Sequence, residues 1–410
     1  MTKNFCRHCE RVLHQLFLDL GHAPPSNAYL TKTSLNAPEL TYPLRLRVCQ
    51  NCYLVQTEDF TEAKALFSAD YAYFSSTSSS WVNHAARYVE MIQKRLNLQR
   101  DSFVIEVASN DGYLLRNFVS AGIPCLGIEP TKRTAAVAIA QGIPVRQAFF
   151  GQKLGEKLAA EGKRADLIMA NNVYAHVPKI NDFTRGLVAA LKPKGIVTLE
   201  FQHLMRLVEF CQFDTIYHEH FSYLSLISVS RIFSASGLRV FDVEELPTHG
   251  GSLRVYGCLS QSDHTETPAV EAIMREEQAR GMDSTEYYKS FKPRVDTIKN
   301  ALLSFLLKAK QTGKTVAAYG AAAKGNTLLN YSGVKSDLLP FVCDAAVAKQ
   351  GRFLPGSHIP ILHPDILSQS PPDYILILPW NLEEEIRDQL RYLRKHGTNF
   401  VTSIPELIVR

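Results

Sequence analysis

Apolar positions along this chain change period several times, and the changes divide it. In the middle, short buried-type runs alternate with stretches at helical spacing. DSFVIEVASNDGYLL reads as a strand, a turn and a helix start, and CLGIEP, from Cys125 to Pro130, as a second strand. RADLIMANNVYAHVP reads as a later strand with a polar tip, and KPKGIVTLEFQ as the next. HAARYVEMIQKRLNL, TKRTAAVAIAQ and INDFTRGLVAALKPKG are helical in pattern and fill the gaps. This alternation predicts a doubly wound parallel sheet. GLRVFDVEELPTHGGSLRVYGCLS then breaks it with two strands joined by a turn at His249-Gly250-Gly251, an antiparallel hairpin.

A second α/β unit follows. TPAVEAIMREEQARG and STEYYKSFKPRVDTIKNALLSFLLKAKQTG are helical, the second with a break or kink expected at Pro293. KTVAAYGAAAKGNTLLNYSG reads as strand, small-residue turn and helix, and LPFVCD, DYILILPWN and NFVTSIPEL as further strands. The expected division is 1–66 as a small N-terminal module, 67–262 as the first α/β domain and 263–410 as helical linker plus a second one.

Composition narrows the function classes. The 410 residues are 46% hydrophobic and 21% charged, which excludes a disordered or fibrous chain. Lys and Arg number 45 against 40 Asp and Glu, a net charge of +5 with no block of one sign. Nothing there favours a nucleic acid or a membrane surface as partner. The start, MTKNFCRHCERVLHQLF, lacks the apolar core of a signal peptide, and no apolar run is long enough to span a bilayer. A cytoplasmic location is expected.

The eight cysteines are unevenly placed. Cys6 and Cys9 form one CxxC, Cys49 and Cys52 a second, and TYPLRLRVC reads as a strand running into the second knuckle. Two such knuckles put four thiolates around one tetrahedral zinc, and a closed four-cysteine site holds the fold without doing chemistry. Disulfides are the competing reading, disfavoured for an intracellular chain. His8, inside the first knuckle, is expected to be a loop residue.

Ligands of open α/β sheets bind beyond the carboxyl ends of the strands. The first such turn here is Glu106-Val107-Ala108-Ser109-Asn110-Asp111-Gly112-Tyr113. Glu129 ends the second strand, about 20 residues on, where an acidic residue can accept both hydroxyls of a ribose. Glu106 and Asp111 would repel a dinucleotide's diphosphate but suit the ammonium and sulfonium of S-adenosylmethionine. The antiparallel hairpin that closes the sheet resembles class I methyltransferases. Their turn carries an acidic residue followed by glycines at alternate positions. Here Ala108 and Asn110 replace two of those glycines.

Tyr217-His218-Glu219-His220-Phe221-Ser222-Tyr223 follows the strand KPKGIVTLEFQ and falls over the mouth of the sheet. His218 and His220 could chelate a metal if the segment were a strand. Histidine is also suited to proton transfer near neutral pH.

Taken in order, the two CxxC pairs, DYAYFSSTSSSW, EVASNDGYLL, NNVYAHVP, YHEHFSYLS, HGGSLRVY and GAAAKGNTLLN resemble one family over essentially the whole chain. It is that of S-adenosylmethionine-dependent sugar C-methyltransferases, which methylate C-3 of nucleotide-linked 4-keto-6-deoxy sugars. The resemblance implies a small zinc-binding N-terminal module, a class I methyltransferase Rossmann-like sheet and a second Rossmann-like C-terminal domain. It implies S-adenosylmethionine as methyl donor, a structural zinc ion on Cys6, Cys9, Cys49 and Cys52, and a nucleotide-diphosphate sugar as partner. Donor contacts are expected from Glu106, Ala108, Asn110, Asp111, Gly112, Tyr113, Glu129 and Asn171. His220 is the expected base, with Glu219 as an alternative base or an orienting group. Tyr217 would stabilise the enolate oxygen. Tyr71 and His176 match family positions around sugar and donor. Lys324, Asn326 and His249 are expected to contact the nucleotide sugar. A monomer or weak dimer is expected.

Two rivals come from other classes. One is an NAD-dependent oxidoreductase of nucleotide sugars, using the turn Gly320-Ala321-Ala322-Ala323-Lys324-Gly325-Asn326 and Asp344 at the end of the next strand. That turn lacks the ending of a P-loop. The other is a zinc protein directed to RNA, for which Arg45, Arg47 and the RHC of the first knuckle are too few basic residues. The nucleotide, the C-3 substituent, the product stereochemistry and the pathway are not legible.

Overall fold

The computed structural model describes residues 4–60 and 74–410. The strand-like runs form three sheets. The central one has seven strands, in the order β10-β11-β8-β7-β4-β5-β6. Its parallel members are β4 (Val104–Val107), β5 (Cys125–Ile128), β6 (Val145–Arg146), β7 (Ala165–Asn171) and β8 (Leu191–Gln202). The run VIEV is buried at every position, as a strand covered on both faces requires. β10 (Leu238–Leu246) and β11 (Ser252–Leu259) are the expected hairpin, and β11 pairs antiparallel with β8. This is the class I methyltransferase arrangement. β6 has only two residues, too few to leave a periodic signal.

Local chemistry sets the helix ends. Ser78 accepts the Trp81 N–H to start helix Ser79–Leu96, and Asn97 in the left-handed region ends it. Ser225 and Ser228 form a capping box on helix Leu226–Ser236, and Gly237 closes it.

The N-terminal sheet is antiparallel, in the order β1-β2-β3-β9: β1 (Gln15–Ala23), β2 (Tyr42–Val48), β3 (Val55–Thr57) and β9 (Ser222–Tyr223). Its fourth strand is borrowed from the middle of the chain, immediately after the His-Glu-His segment. The C-terminal sheet has six strands, in the order β14-β13-β12-β15-β16-β17. These are β12 (Val316–Tyr319), β13 (Val342–Cys343), β14 (Ile361–Leu362), β15 (Tyr374–Ile377), β16 (Asn399–Thr402) and β17 (Ile408–Val409). All its pairings are parallel except that of β17.

The expected break in the linker falls between helices Glu286–Lys289 and Phe291–Gln311, at Ser290. Pro293 therefore sits in the first turn of the second helix, where its missing N–H has no intrahelical partner to lose.

One apolar core joins the outer units. Leu44, Leu46 and Val48 of β2 share it with Phe213, with Phe291 and Leu302 of the long helix, and with Leu328 beside the C-terminal sheet. A second core holds Cys6, Cys49 and Cys52 against residues of the central sheet and helix 226–236. Among the described residues no helix is long and apolar enough to cross a membrane.

Candidate active site and metal centre

The two knuckles meet. The sulfurs of Cys6 and Cys52 lie 3.5 Å apart, those of Cys9 and Cys49 3.4 Å apart, and all four fall within 4.8 Å of one another. Tetrahedral zinc with bonds of ~2.3 Å separates its sulfurs by about 3.8 Å, so the group fits that ion. All four cysteines are free of disulfides. Hydrogen bonding to Cys49 and burial push the Cys6 thiol up to about 12, while the same cluster holds Cys49 below its ordinary value. Protons are shared within the group, and a cation is what lets all four ionise together. His8 is not part of it; its Nδ1 lies 2.9 Å from Asn181 Oδ1. This is the sole group of three or more potential ligands among the described residues. The metal reading of His218 and His220 gains no support, since His218 turns to the Pro43 carbonyl and the Tyr42 ring.

The turn after β4 places Ala108, Asn110 and Gly112 at φ of +54°, +51° and +81°. These are the three positions at which the resembled family carries glycine, and the left-handed backbone is the reason. Asn110 tolerates it well; Ala108 carries a strain of ~1–2 kcal/mol. Glu129 grips the turn, accepting N–H groups from Asn110 at 2.9 Å and Thr131 at 2.8 Å. The serine-rich stretch covers it: Ser75 N–H donates to Asn110 Oδ1, and Ser76 donates through N–H and hydroxyl to Asp111 Oδ2.

Glu106 Oε2, Asp111 Oδ1 and Asn171 Oδ1 are buried without a partner among the described residues. Burial, then the charges of Glu129 and Asp111, hold the Glu106 carboxyl well above its usual range. Unsatisfied acceptors at the carboxyl ends of β4 and β7 are what a bound ammonium and ribose would satisfy. The residues present therefore fit S-adenosylmethionine. Tyr113 stacks at 6.4 Å from Trp81.

Across the sheet mouth, His220 packs between other rings. Its ring centroid lies 4.1 Å from that of Tyr217, 4.5 Å from His176 and 5.9 Å from Tyr223. His176 Nδ1 lies 2.8 Å from the Glu219 carbonyl and donates to it, which ties β7's tip to this segment. Burial first, then the positive charge of neighbouring His176, depresses His220 well below the ordinary histidine range. Burial takes His176 and His249 down to about 4 each. This environment favours the neutral form of His220. Glu219 is buried, and burial raises its carboxyl. Its Oε1 accepts the Asn27 amide at 3.2 Å, and its Oε2 has no partner among the described residues. Tyr71 lies outside the described residues.

The acceptor-side candidates have different partners. His249, at φ +53°, packs 5.3 Å from Trp81. Lys324 lies 4.5 Å from the Trp380 ring and donates to Asn381 Oδ1 at 2.7 Å. The positive charges of both, when protonated, act to lower the His220 imidazole. Asn326 donates its amide to the Ser26 carbonyl at 2.7 Å, at the seam with the N-terminal module and beside Asn27, which holds Glu219.

Several residues carry the site without having stood out in sequence. Glu200 is fully buried in β8, with His84 Nε2 3.0 Å from both its oxygens and Arg254 Nη2 at 3.1 Å. His84 stacks on Trp81 at 4.9 Å. An acidic residue inside the apolar run IVTLEF was the available signal. Asp214 and Trp380 left none, because their pairing is long-range.

Comparison with known proteins accords with this architecture. Residues 247–405 match the C-methyltransferase C-terminal domain family, 6–67 a family described as a candidate zinc binding domain, and 81–243 a methyltransferase domain family. The C-methyltransferase NovU of Streptomyces niveus is 35% identical over 404 residues, 98% of this chain and 95% of that protein. An uncharacterized methyltransferase of Mycobacterium leprae is 29% identical over 98 residues, 24% of this chain and 36% of its own length. Among solved structures, the magnesium protoporphyrin IX methyltransferase of Synechocystis PCC 6803 with bound S-adenosylmethionine is 14% identical. That match covers 44% of this chain and 81% of that one, with a TM-score of 0.33.

Proposed function

This chain belongs to the S-adenosylmethionine-dependent C-methyltransferases, and from that premise we propose that it methylates C-3 of a nucleotide-linked 4-keto-6-deoxy sugar. The observation that carries the reading is the neutral His220 imidazole stacked against Tyr217 and His176 at the mouth of the central sheet. A carbon nucleophile has to be made by removing a proton, and a C-4 ketone acidifies the proton at C-3.

In this reading His220 takes the C-3 proton. Tyr217 donates its hydroxyl hydrogen bond to the oxygen of the forming enolate, where charge develops. Glu219, held by Asn27, fixes the segment through its carbonyl's bond to His176 and sits as an alternative acceptor. Glu106, Asp111 and Asn171 hold the donor's ammonium end and Glu129 its ribose. When bound, the sulfonium supplies an electrophilic methyl to C-3 as S-adenosylhomocysteine leaves. Lys324 and His249 meet the diphosphate side of the substrate. The four cysteines hold a structural zinc that keeps the N-terminal sheet, and with it β9, in place.

The oxidoreductase alternative is disfavoured by Asp344. Its Oδ2 accepts both the Ala321 N–H at 2.7 Å and Lys349 Nζ at 3.2 Å, and its Oδ1 accepts the Ala346 N–H at 2.8 Å. Glu129 also accepts two backbone N–H groups, but Asp344 is in addition paired with the Lys349 ammonium, which competes with a ribose for it.

The test is a mass-spectrometric assay in deuterated water with S-adenosylmethionine and a panel of nucleotide-linked 4-keto-6-deoxy sugars. A product one methyl heavier, with the methyl on C-3 and no hydrogen left there, is expected, and deuterium enters C-3 only in substrate that is returned unmethylated. Methylation on oxygen, or neither transfer nor exchange in donor-bound protein, overturns the assignment.

A further inference from the structure

The first knuckle does more than present two sulfurs. Between Cys6 and Cys9, Arg7 sends a side chain only 5% exposed toward the active site. Its Nη1 donates to the Pro178 carbonyl at 3.0 Å, and its Nη2 to the Thr57 carbonyl at 3.2 Å and to Asp59 at 2.9 Å. Its guanidinium lies 5.4 Å from the Phe221 ring centroid. Pro178 is two residues beyond His176, and Phe221 is next to His220. Thr57, gripped by the same guanidinium, donates its hydroxyl to the His220 carbonyl at 3.3 Å and its N–H to the Phe221 carbonyl at 3.2 Å. The knuckle is anchored a second time where Asn181 Nδ2 donates to the His8 carbonyl at 2.8 Å.

We infer that Arg7 is a positioning residue for the methyl transfer: from inside the metal-binding knuckle it holds the loop bearing His176 and the segment bearing His220 at a fixed separation. The two rings belong to different sheets, since His176 follows β7 and His220 precedes β9. The direct bond from His176 to the Glu219 carbonyl and the Arg7 contacts that cross between the sheets act together on the 4.5 Å between them. A planar guanidinium reaching two carbonyls, a carboxylate and a ring face suits that task; an ammonium cannot make all four contacts. This rests on the proposed role of His220 and extends it to a residue outside the cleft.

The experiment uses the full chain loaded with zinc and carrying Arg7→Met or Arg7→Lys. Imidazole NMR of selectively labelled histidines reads the site without any acceptor. His220 is faced by His176, His249 and Lys324 as charges, by the Tyr217 and Tyr223 rings and by the Thr215 backbone. Loosening the pair admits water, so in Arg7→Met His220 and His176 are expected to titrate closer to the ordinary ~6.5. Zinc content should be unchanged, and Arg7→Lys should lie between. In the methylation assay kcat should fall by ~10–100-fold with KM for S-adenosylmethionine within about 2-fold, as expected of a misplaced base. If Arg7→Met does not fold, Arg7→Lys alone is read for the same two effects. A folded, zinc-replete variant with unmoved titrations and unchanged kcat overturns the inference. Failure of the acceptor assignment looks different: the wild type then transfers no methyl to the panel, while the titrations still separate it from the variants.

Discussion

Trp380 donates its indole N–H to Asp214 at 2.7 Å, joining the C-terminal sheet to the loop that leads into the His-Glu-His segment. Gly250 makes room for this contact, since a Cβ there would come within 2.4 Å of the indole. Asp214 is fully buried, its Oδ1 has no partner among the described residues, and burial raises its carboxyl to about 6. The folded state therefore binds this proton more tightly than the unfolded chain. The sign follows: stability is greatest below about pH 4 for this group and declines as pH rises through about 6. Asp214→Asn keeps an acceptor for Trp380 and removes the buried charge. We expect the variant to exceed the wild type at pH 8 by up to about 3 kcal/mol, and by less at pH 5. Urea melts at the two pH values check it; equal gains at both would show that Asp214 does not titrate in this range.

Replacing His220 with Asn removes the base while leaving the donor turn untouched. Turnover is expected to drop by ~10²–10⁴. Affinity for S-adenosylmethionine by calorimetry should stay within a few-fold. Turnover like that of the wild type would move the proton transfer to Glu219.

Lys324 and His249 lower the His220 pKa through their charge. A bound diphosphate neutralises that field, so the His220 pKa should rise when a nucleoside diphosphate is added. In Lys324→Met the free-enzyme value should already lie higher and the further rise should be smaller. Histidine NMR with and without the nucleotide measures both. A nucleotide that binds without moving His220 would place the diphosphate away from Lys324.

Much of the fold was legible because its signals are local. Buried runs such as VIEV and CLGI, the β10–β11 hairpin and the two knuckles each lie within a few residues, where spacing carries the information. β6 and β9 have two residues each, below the length at which periodicity exists. The borrowing of β9 by the N-terminal sheet could not be read at all, since pairing of Val55 with Tyr223 spans most of the methyltransferase sheet. The candidate site divides in the same way. The His-Glu-His cluster announced itself, whereas the contacts around it from Arg7 to Phe221, Asn27 to Glu219 and Trp380 to Asp214 are long-range. The bond of the Asn326 amide to the Ser26 carbonyl joins residues far apart in sequence, which spacing does not show.

Cys6→Ser should lose zinc and stability together. Its sulfur is buried 3.5 Å from Cys52 in a group whose free ligands exist as a set only in the folded chain, so metal affinity is folding energy. Metal analysis and thermal melting with and without a chelator check this. Because β9 hydrogen-bonds to β3, the chelated wild type should also lose turnover before it loses its central sheet. Full zinc loading of Cys6→Ser with an unchanged melt would exclude Cys6 as a ligand.

Ala108 offers a test of the donor turn from the side of strain. It sits at φ +54° beneath a turn that Glu129 and Ser75 hold closed. A left-handed alanine costs ~1–2 kcal/mol, and glycine removes that cost while adding roughly 0.4–1 kcal/mol of unfolded-state entropy. Ala108→Gly should therefore stabilise the protein by about 0.5–1 kcal/mol in denaturant melts, with S-adenosylmethionine affinity held. A destabilised variant would mean that the Ala108 methyl is packed and not merely tolerated. Weaker donor binding with normal stability would mean instead that strain at this position shapes the pocket.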